Sequence, residues 1–334
     1  MTTRIDLGRL DGAGTEHEAA PGPGAGAGAG AGRESADPRR VRVSRRAAEA
    51  LGRRLESPMP WQVARRTGPD RTLDGSMRPA PVPPHDPDDT TDPWEELGGL
   101  GLVDASGRLF PELPGALDVL ARPETAVDLD LVVRRPTTGA APVAAPGDGA
   151  GPGGSTDVQL RAWHRRRAGR VTAVATAGAQ VEIGWFDDRS WAAELARVAA
   201  VTSALAPTPP ARDLTLPHEL MLGVGVARRT DAPRLTEELL RRHLPHMRVP
   251  EGADAREQVQ LLHSGVVGRL RAVVSGQGDD GRRKVGWVSW LLFSDGWRTL
   301  RPHVDSGVSQ VGVHHVEPSA LGREVARLVA GVTS

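Results

Sequence analysis

The sequence predicts an α+β fold, a single domain in which a central antiparallel β-sheet is flanked by helical bundles and built from two related halves. Two 20-residue stretches, QVEIGWFDDRSWAAELARVA from Gln180 and QVGVHHVEPSALGREVARLV from Gln310, align without a gap. Several period-2 segments are joined by very short connections, which is typical of antiparallel neighbours. A shared spacing with matching turn chemistry indicates a duplicated fold with a quasi-twofold internal repeat.

Each copy of the repeated stretch predicts a strand, an acidic turn and a helix. The first copy alternates in the period of a half-buried strand, with Val181, Ile183 and Trp185 set against Glu182 and Gly184. Asp187 or Asp188 can cap the helix that follows. That helix separates an apolar face from a charged one: Trp191, Leu195 and Val198 against Glu194 and Arg197.

Each half also begins with a strand and a helix. In VRVSRRAAEALGRRL, Val41 and Val43 alternate, Ser44 can act as the N-cap, and an apolar helical stripe follows. DLTLPHELMLGVGVA repeats this opening, with Pro217 placed where a helix can begin. The predicted domain spans residues 39–334, with a first half at about 39–205 and a second half at about 211–332.

Two segments have compositions that cannot build a core. Residues 1–38 end in the Gly-Ala-Pro tract PGPGAGAGAGAGRESADP, which offers too little apolar surface to offset the entropy of ordering. We expect a disordered tail there. The stretch at 136–156, PTTGAAPVAAPGDGAGPGGST, is longer than a hairpin needs. We expect a mobile loop there, and an irregular segment at 66–93, which is rich in Pro, Asp and Thr.

The remaining segments give each half the same plan of helices followed by a meander of strands. In the first half, short helices are predicted around Trp94 and from Pro111 to Leu120, and the strands are AVDLDLVVR, VQLRAWHRR, RVTAVATA and QVEIGWF. In the second half, the helices are PRLTEELLRRHL and AREQVQLLHS, and the strands are VVGRLRAVVSG, KVGWVSWLLFSDG, WRTLRPH and VSQVGVHHVE. A last helix is predicted from Pro318 to about Val332.

Composition excludes several classes of protein. The 334 residues include 42 basic and 42 acidic side chains, and this balance argues against a nucleic-acid binder, which needs a sustained basic surface. The chain has no Cys, which excludes disulfides, thiolate zinc sites and cysteine nucleophiles. No secretory signal and no apolar stretch of about 20 residues is present, so we expect a soluble, cytoplasmic protein without membrane insertion.

The sequence carries no recognisable catalytic, cofactor or metal motif. His243 and His246 flank the helix-breaking Pro245, and His314 and His315 are adjacent on a predicted strand, where their side chains point to opposite faces. No GxSxG, Walker or dinucleotide-binding pattern occurs, and HExxH spacing is missing. We therefore predict no catalytic residue, no metal ligand and no cofactor, and a protein that is not an enzyme.

The strand KVGWVSWLLFSDGW is apolar on both sides. Trp287 and Trp290 are an odd number of residues apart, so a regular strand turns them to opposite faces. Val288 and Leu292 then share a face with Trp290, whereas Phe293 shares a face with Trp287. Such a strand either lies between two helical layers or keeps one face for a partner.

The order of these segments resembles the EspG family of type VII (ESX) secretion chaperones. LGGLGLVDASGRLFPELPGALDVLARPETAVDLDLVV is similar to the family's first-half signature, in which a helix and a "GL.D..G" turn lead to "L..LARP...VD" and a strand. GVVGRLRAVVS and KVGWVSWLLFSDGW resemble its second half. The resemblance covers roughly residues 40–332 and is strongest from 95 to 131; LLFSDG replaces the family's usual acidic Phe-Asp turn.

The resemblance implies an actinobacterial cytosolic chaperone or adaptor that performs no catalysis. Family members keep secreted helical-hairpin proteins soluble, so the implied partner is a PE-PPE-like or WXG-like protein, bound by a monomer or a weak homodimer. The partner-binding residues that we predict lie in the loop and in the tryptophan-rich strand: Pro136, Thr137, Gly139, Val143, Trp287, Trp290, Phe293 and Trp297.

Two further classes of function stay open at this point. One is a small-ligand-binding or enzymatic α+β domain of unknown substrate, for which a concave pocket with convergent His and Asp side chains is expected. The other is a structural relative that has lost its client and serves as an interaction module. The chaperone hypothesis requires an accessible apolar face on the second half of the sheet.

Overall fold

The computed structural model describes residues 38–64, 90–134, 157–177, 180–201, 212–230 and 233–333. Their fold is α+β, with ten strands in one sheet in which every neighbouring pair is antiparallel. The strands are β1 Arg39–Ser44, β2 Thr125–Arg134, β3 Asp157–Arg167, β4 Arg170–Ala177, β5 Gln180–Asp187, β6 Leu214–Pro217, β7 Gly268–Gln277, β8 Arg283–Phe293, β9 Gly296–Asp305 and β10 Val308–Val316.

Nine helices accompany the sheet in the described part of the chain: α1 Arg45–Arg54, α2 Pro60–Ala64, α3 Pro93–Gly99, α4 Leu113–Ala121, α5 Trp191–Ala199, α6 His218–Thr230, α7 Pro233–His243, α8 Ala255–Ser264 and α9 Ala320–Thr333. The predicted helices and strands are confirmed to within a few residues. None of the helices in these ranges has both the length and the apolar character that a membrane crossing requires.

The strand order β1-β5-β4-β3-β2-β7-β8-β9-β10-β6 has a quasi-twofold axis between β2 and β7. Each half runs outward through a four-strand meander and adds its own first strand at the edge. Gln180 pairs with Ser44 at the end of β1, and Gln310 pairs with Pro217 at the end of β6. The two glutamines therefore occupy equivalent places, as the alignment of the repeated stretches predicts.

The two repeat helices meet at equivalent residues. A Cβ atom added to Gly322 of α9 would lie 2.6 Å from the Cβ atom of Ala192 in α5. These two residues are aligned in the repeated stretches, as expected where two related helices cross a twofold axis. Glycine at 322 is what allows α5 and α9 to approach so closely.

The sheet separates one central core from two lateral ones. On one face, α5 and α9 cover the middle strands and bury a core that includes Leu129, Leu270 and Trp290. On the opposite face, α1 to α4 pack over the outer strands of the first half, and α6 to α8 pack over those of the second half. The middle of that second face lies between the two helical bundles.

Local sequence signals explain most helix ends. The side chain of Ser44 accepts a hydrogen bond from the backbone N–H of Ala47, which caps α1 as predicted. Asp92 caps α3 and Asp254 caps α8 in the same manner. The predicted cap of α5 by Asp187 or Asp188 is wrong: a 3-10 turn at Asp188–Ser190 intervenes, and Arg166 binds the Asp188 carboxylate instead.

The half-buried strand predicted at β5 is buried on both faces. Glu182 is only 8% exposed because α5 packs over it, and Gly184 is buried beside it. The charged face of α5 lies against the sheet, where Arg197 pairs with both Glu182 and Glu194. Alternation of polar and apolar residues predicts the two faces of a strand, but it does not show that an ion pair covers the polar one.

Candidate partner-binding site

The open middle of the second sheet face is formed by β2, β7 and the first part of β8. We call it the central sheet surface, defined by the side chains Asp128, Asp130, Val132, Arg269, Arg271, Val273, Val285 and Trp287. No helix of the described chain covers these strands on this face, because the two helical bundles pack on the strands to either side.

The apolar part of the central sheet surface is contributed by β8. Trp287 is 52% exposed and Val285 is 55% exposed, whereas Val288 and Trp290 on the other face of the same strand are buried. Alternation along β8 thus leaves one large aromatic side chain in solvent. The prediction that Trp287 and Trp290 face opposite sides is confirmed, and the second half of the sheet has an accessible apolar face.

The polar part contains carboxylates between arginines. Arg165 of β3 donates to an Asp128 oxygen at 2.6 Å, and Gln159 donates to Oδ1 of Asp130 at 2.9 Å. Oδ2 of Asp130 is buried and has no hydrogen-bond partner among the described residues. A buried acceptor without a donor costs about 1–3 kcal/mol, so this oxygen favours a partner that brings an N–H or O–H group.

Of the predicted partner-binding residues on the tryptophan-rich strand, only Trp287 lies at the surface. Trp290 is fully buried, and its Nε1 atom donates to Glu324 at 3.0 Å. Phe293 lies in the second lateral core, and Trp297 lies in the central core, where its Nε1 atom donates to the carbonyl of Ala199 at 2.8 Å. Including these three residues in a contact surface was wrong, because helices cover both faces of β8 at its carboxyl end.

The predicted loop residues Pro136, Thr137, Gly139 and Val143 lie outside the described residues. The strands that flank the loop are described: Arg134 at the end of β2 pairs with Asp157 at the start of β3. The carboxyl end of β2 is next to β7 and lies at the end of the central sheet surface farthest from Val285.

A partly buried ion cluster joins the edge of the first half to α5, and sequence reasoning missed it. Arg197 donates to Glu182 at 2.7 Å and to Glu194 at 3.1 Å. Arg42 donates to Glu182 at 3.3 Å, and Arg40 pairs with Glu194. The signal that could have revealed it is the repeated acidic position, because Glu194 aligns with Glu324, which is also buried and binds Trp290 and Arg301.

His164 lies in a small cleft between this cluster and the central core. Trp191 donates to its Nδ1 atom at 3.2 Å, and its Nε2 atom has no partner among the described residues. Burial, with the positive charges of Arg165 and Arg197, lowers the pKa of His164 to about 3. The imidazole is therefore neutral at pH 7 and too weak a base for general acid–base catalysis.

The histidine pairs do not assemble a metal site. His243, at the end of α7, lies 3.2 Å from a carboxylate oxygen of Glu219, and His314 lies 3.3 Å from Asp213. Within the described ranges, no group of three or more His, Asp or Glu side chains is arranged to hold a metal ion.

These features define a class of protein: an α+β domain with a duplicated ten-strand sheet and an open sheet surface between two helical bundles. No protein-family model matches the sequence, and no curated protein matches it. The fold is similar to the solved structure of the Mycobacterium tuberculosis type VII secretion system chaperone EspG5, in complex with the PE25–PPE41 dimer. The TM-score is 0.54 at 16% sequence identity, over 87% of this chain and 96% of the other. This likeness shows a shared fold.

Proposed function

We propose that this protein is a non-enzymatic chaperone or adaptor that binds a secreted helical-hairpin protein through the central sheet surface. The partner is of the PE-PPE or WXG type, and binding takes place in the cytoplasm before export. The observation that carries the proposal is Trp287, a half-exposed tryptophan on an uncovered sheet face between two helical bundles. The shared fold with a chaperone of type VII secretion supports it.

The chemistry of the central sheet surface suits the end of a helical hairpin. Trp287 and Val285 offer an apolar contact, and aromatic side chains of this kind dominate the energetics of many interfaces. The carboxylates of Asp128 and Asp130 can accept hydrogen bonds from N–H groups that the first turn of a partner helix leaves without a partner. Binding would hide an apolar patch on the client and would involve no covalent step.

The loop at 136–156 remains part of the proposal as a second contact. It is flanked by Arg134 of β2, the strand next to β7, and by Asp157 of β3, and a Gly- and Pro-rich chain of this length can reach the central sheet surface. Ordering such a loop over a client costs conformational entropy, which weakens the complex and favours later release.

The test is an affinity measurement with the small helical-hairpin proteins encoded beside this gene. Trp287→Ala should weaken binding by about 30-fold or more, the usual loss at an aromatic hot spot. Leu100→Ala is the matched control, because Leu100 is 46% exposed but lies after α3, on the other half of the molecule. A client that binds both variants equally, or no client among these proteins, would overturn the proposal.

A small-ligand site is less well supported by the structure. The cleft beside His164 is lined by side chains that already pair with one another, and its histidine stays neutral at physiological pH. We therefore assign the function to the open sheet surface.

A further inference from the structure

The two halves of the sheet differ in the length over which one equivalent hairpin is paired. The hairpin of β3 and β4 pairs over eight positions, from Arg167–Arg170 to Leu160–Ala177. The equivalent hairpin of β8 and β9 pairs over only four, from Phe293–Gly296 to Trp290–Thr299. Beyond this point β8 stays paired with β7 and β9 stays paired with β10, so the sheet forks between β8 and β9.

Pro302 explains the fork. If the register of β8 and β9 continued, Pro302 would oppose Trp287; the equivalent first-half residues, Thr176 and Arg161, do pair. The β9–β10 turn has positive φ at Ser306 and Gly307, which is typical of a type I′ hairpin closed by a hydrogen-bonded pair. Backbone groups alternate in direction along β9, so Asp305 and every second residue before it face β10. Pro302 is three residues before Asp305, so its backbone faces β8. Proline has no N–H to donate, so the ladder stops.

The fork leaves an unpaired apolar edge on β8. By the same alternation, the backbone groups of Val285, Trp287 and Ser289 point into the fork. Among the described residues, no strand pairs with this stretch on that side. An unpaired strand edge is a template for a further strand, and the exposed Val285 and Trp287 side chains offer apolar contacts beside it.

The outer edges of the sheet are less suited to accept a strand. The six residues of β1 include three arginines, which discourage edge-to-edge pairing. The four-residue β6 ends in Pro217, and its Thr215 is already bridged to Arg248. The apolar edge inside the fork is therefore the more favourable site for strand addition.

We propose that residues 4–10 of this chain, RIDLGRL, dock on β8 as an added antiparallel strand at the fork. Ile5 and Leu7 are two residues apart, so a strand places both on one face, where they can cover Val285 and Trp287. Asp6 falls on the other face, which carries Lys284. The segment thus matches the edge in alternation and in charge.

The reach of the tail agrees with this placement. Arg39, the first residue of β1, and Val285 of β8 belong to one row of paired residues that crosses the sheet. The row consists of Arg39, Trp185, Thr172, Arg165, Ala126, Ser275 and Val285. The position beyond Val285 is seven strand spacings from β1, about 34 Å. Residues 11–38 provide 28 residues, and a Gly-rich chain of that length has a root-mean-square span of about 26–32 Å. Effective concentration is highest when span and distance match in this way.

The direction of the chain also agrees. The added strand runs antiparallel to β8, so its carboxyl end lies in the row of Val285, which is the row in which the chain enters β1 at Arg39. The linker therefore crosses only the short end of the sheet. A docked tail covers Trp287 and competes with a client, and this consequence, unlike the docking, depends on the proposed function.

Amide hydrogen exchange of the full chain, without any client, tests the docking. Ile5→Asp with Leu7→Asp should speed the exchange of the amides of Val285, Trp287 and Ser289 about tenfold, because an intramolecular ligand at millimolar effective concentration protects them. Ala19→Asp with Ala20→Asp is the matched control, since it adds the same charge within the linker. Equal exchange in both variants would overturn the proposal.

Disulfide trapping gives a second readout, made simple by the absence of native cysteine. Leu7→Cys with Val285→Cys should form an intramolecular disulfide at least tenfold faster than Leu7→Cys with Leu100→Cys. Leu100 is similarly exposed and follows α3, which contacts β1, so an undocked tail would reach it at least as readily. Equal rates would refute docking. Faster exchange in the aspartate variant with unchanged client affinity would uphold docking and refute competition.

Discussion

The contact between Gly322 and Ala192 gives a sharp test of the twofold architecture. In Gly322→Ala, the new methyl carbon would lie 2.6 Å from the Cβ atom and 2.7 Å from the Cα atom of Ala192. Ordinary contacts between carbon atoms are about 3.5–4.0 Å, so α5 and α9 must separate by roughly 1 Å. Overpacking of this kind costs about 1–3 kcal/mol, against a gain of about 0.5–1 kcal/mol for replacing a helical glycine by alanine.

We therefore expect Gly322→Ala to lower the free energy of unfolding by about 1–2 kcal/mol, measured by urea denaturation with tryptophan fluorescence. Gly331→Ala is the control in the same helix, because an added Cβ atom there meets nothing within 4 Å. It should raise the free energy of unfolding by about 0.5 kcal/mol.

A compensating variant separates the contact from a general effect on α9. Ala192→Gly combined with Gly322→Ala removes the facing methyl group, but the Cα atom of residue 192 still lies at 2.7 Å. The double variant should therefore recover only part of the lost stability. If Gly322→Ala proves as stable as Gly331→Ala, the inference that the two repeat helices touch at equivalent residues is refuted.

Three further predictions concern the two faces of β8, the buried histidine and the fork. Trp290→Ala should cost about 3–5 kcal/mol of stability in the same denaturation assay, whereas Trp287→Ala should cost about 1 kcal/mol or less; similar losses would contradict the assigned faces. Because the pKa of His164 is lowered from 6.5 to about 3, the unfolded chain binds one more proton between those pH values. The contribution of His164 to the free energy of unfolding is complete above pH 6.5, and it falls by about 1.4 kcal/mol per pH unit on acidification towards pH 3. His164→Asn should reduce this dependence of the unfolding free energy on pH. An unchanged dependence would exclude a buried neutral histidine. Pro302→Thr should extend the β8–β9 ladder, so hydrogen exchange should slow at the amides of Leu300 and Val304, which face β8. No change would mean that the missing N–H does not cause the fork.

Local sequence signals predicted most of the elements because their causes lie within a few residues. The Ser44 cap, the short connection between β3 and β4 and the alternation along β8 are set by nearby side chains and backbone preferences. The repeated stretches at Gln180 and Gln310 also predicted the twofold plan, since equivalent sequences form equivalent strand-helix units. These inferences needed no knowledge of which elements pack together.

The candidate site depended on packing over long distances. The sequence shows that one of Trp287 and Trp290 faces each side of β8, but it cannot show which side α9 covers. Trp290 lies in the core, where Glu324 of α9 accepts a hydrogen bond from its Nε1–H. Trp287 is exposed because both lateral bundles pack elsewhere on its face of the sheet. Likewise, Glu194 and Arg197 lie on the charged face of α5, and only the packing of that face against β1 and β5 shows that they form ion pairs there.

The sequence by itself thus determined the elements, their order and the twofold repeat, because hydrophobic period, caps and turns act over a few residues. The tertiary structure alone decided which aromatic side chains are exposed, where charges are buried and where the ladder stops at Pro302. Each of those outcomes depends on a neighbour more than 20 residues away or on a strand register. A local sequence pattern does not determine the free energy of such contacts.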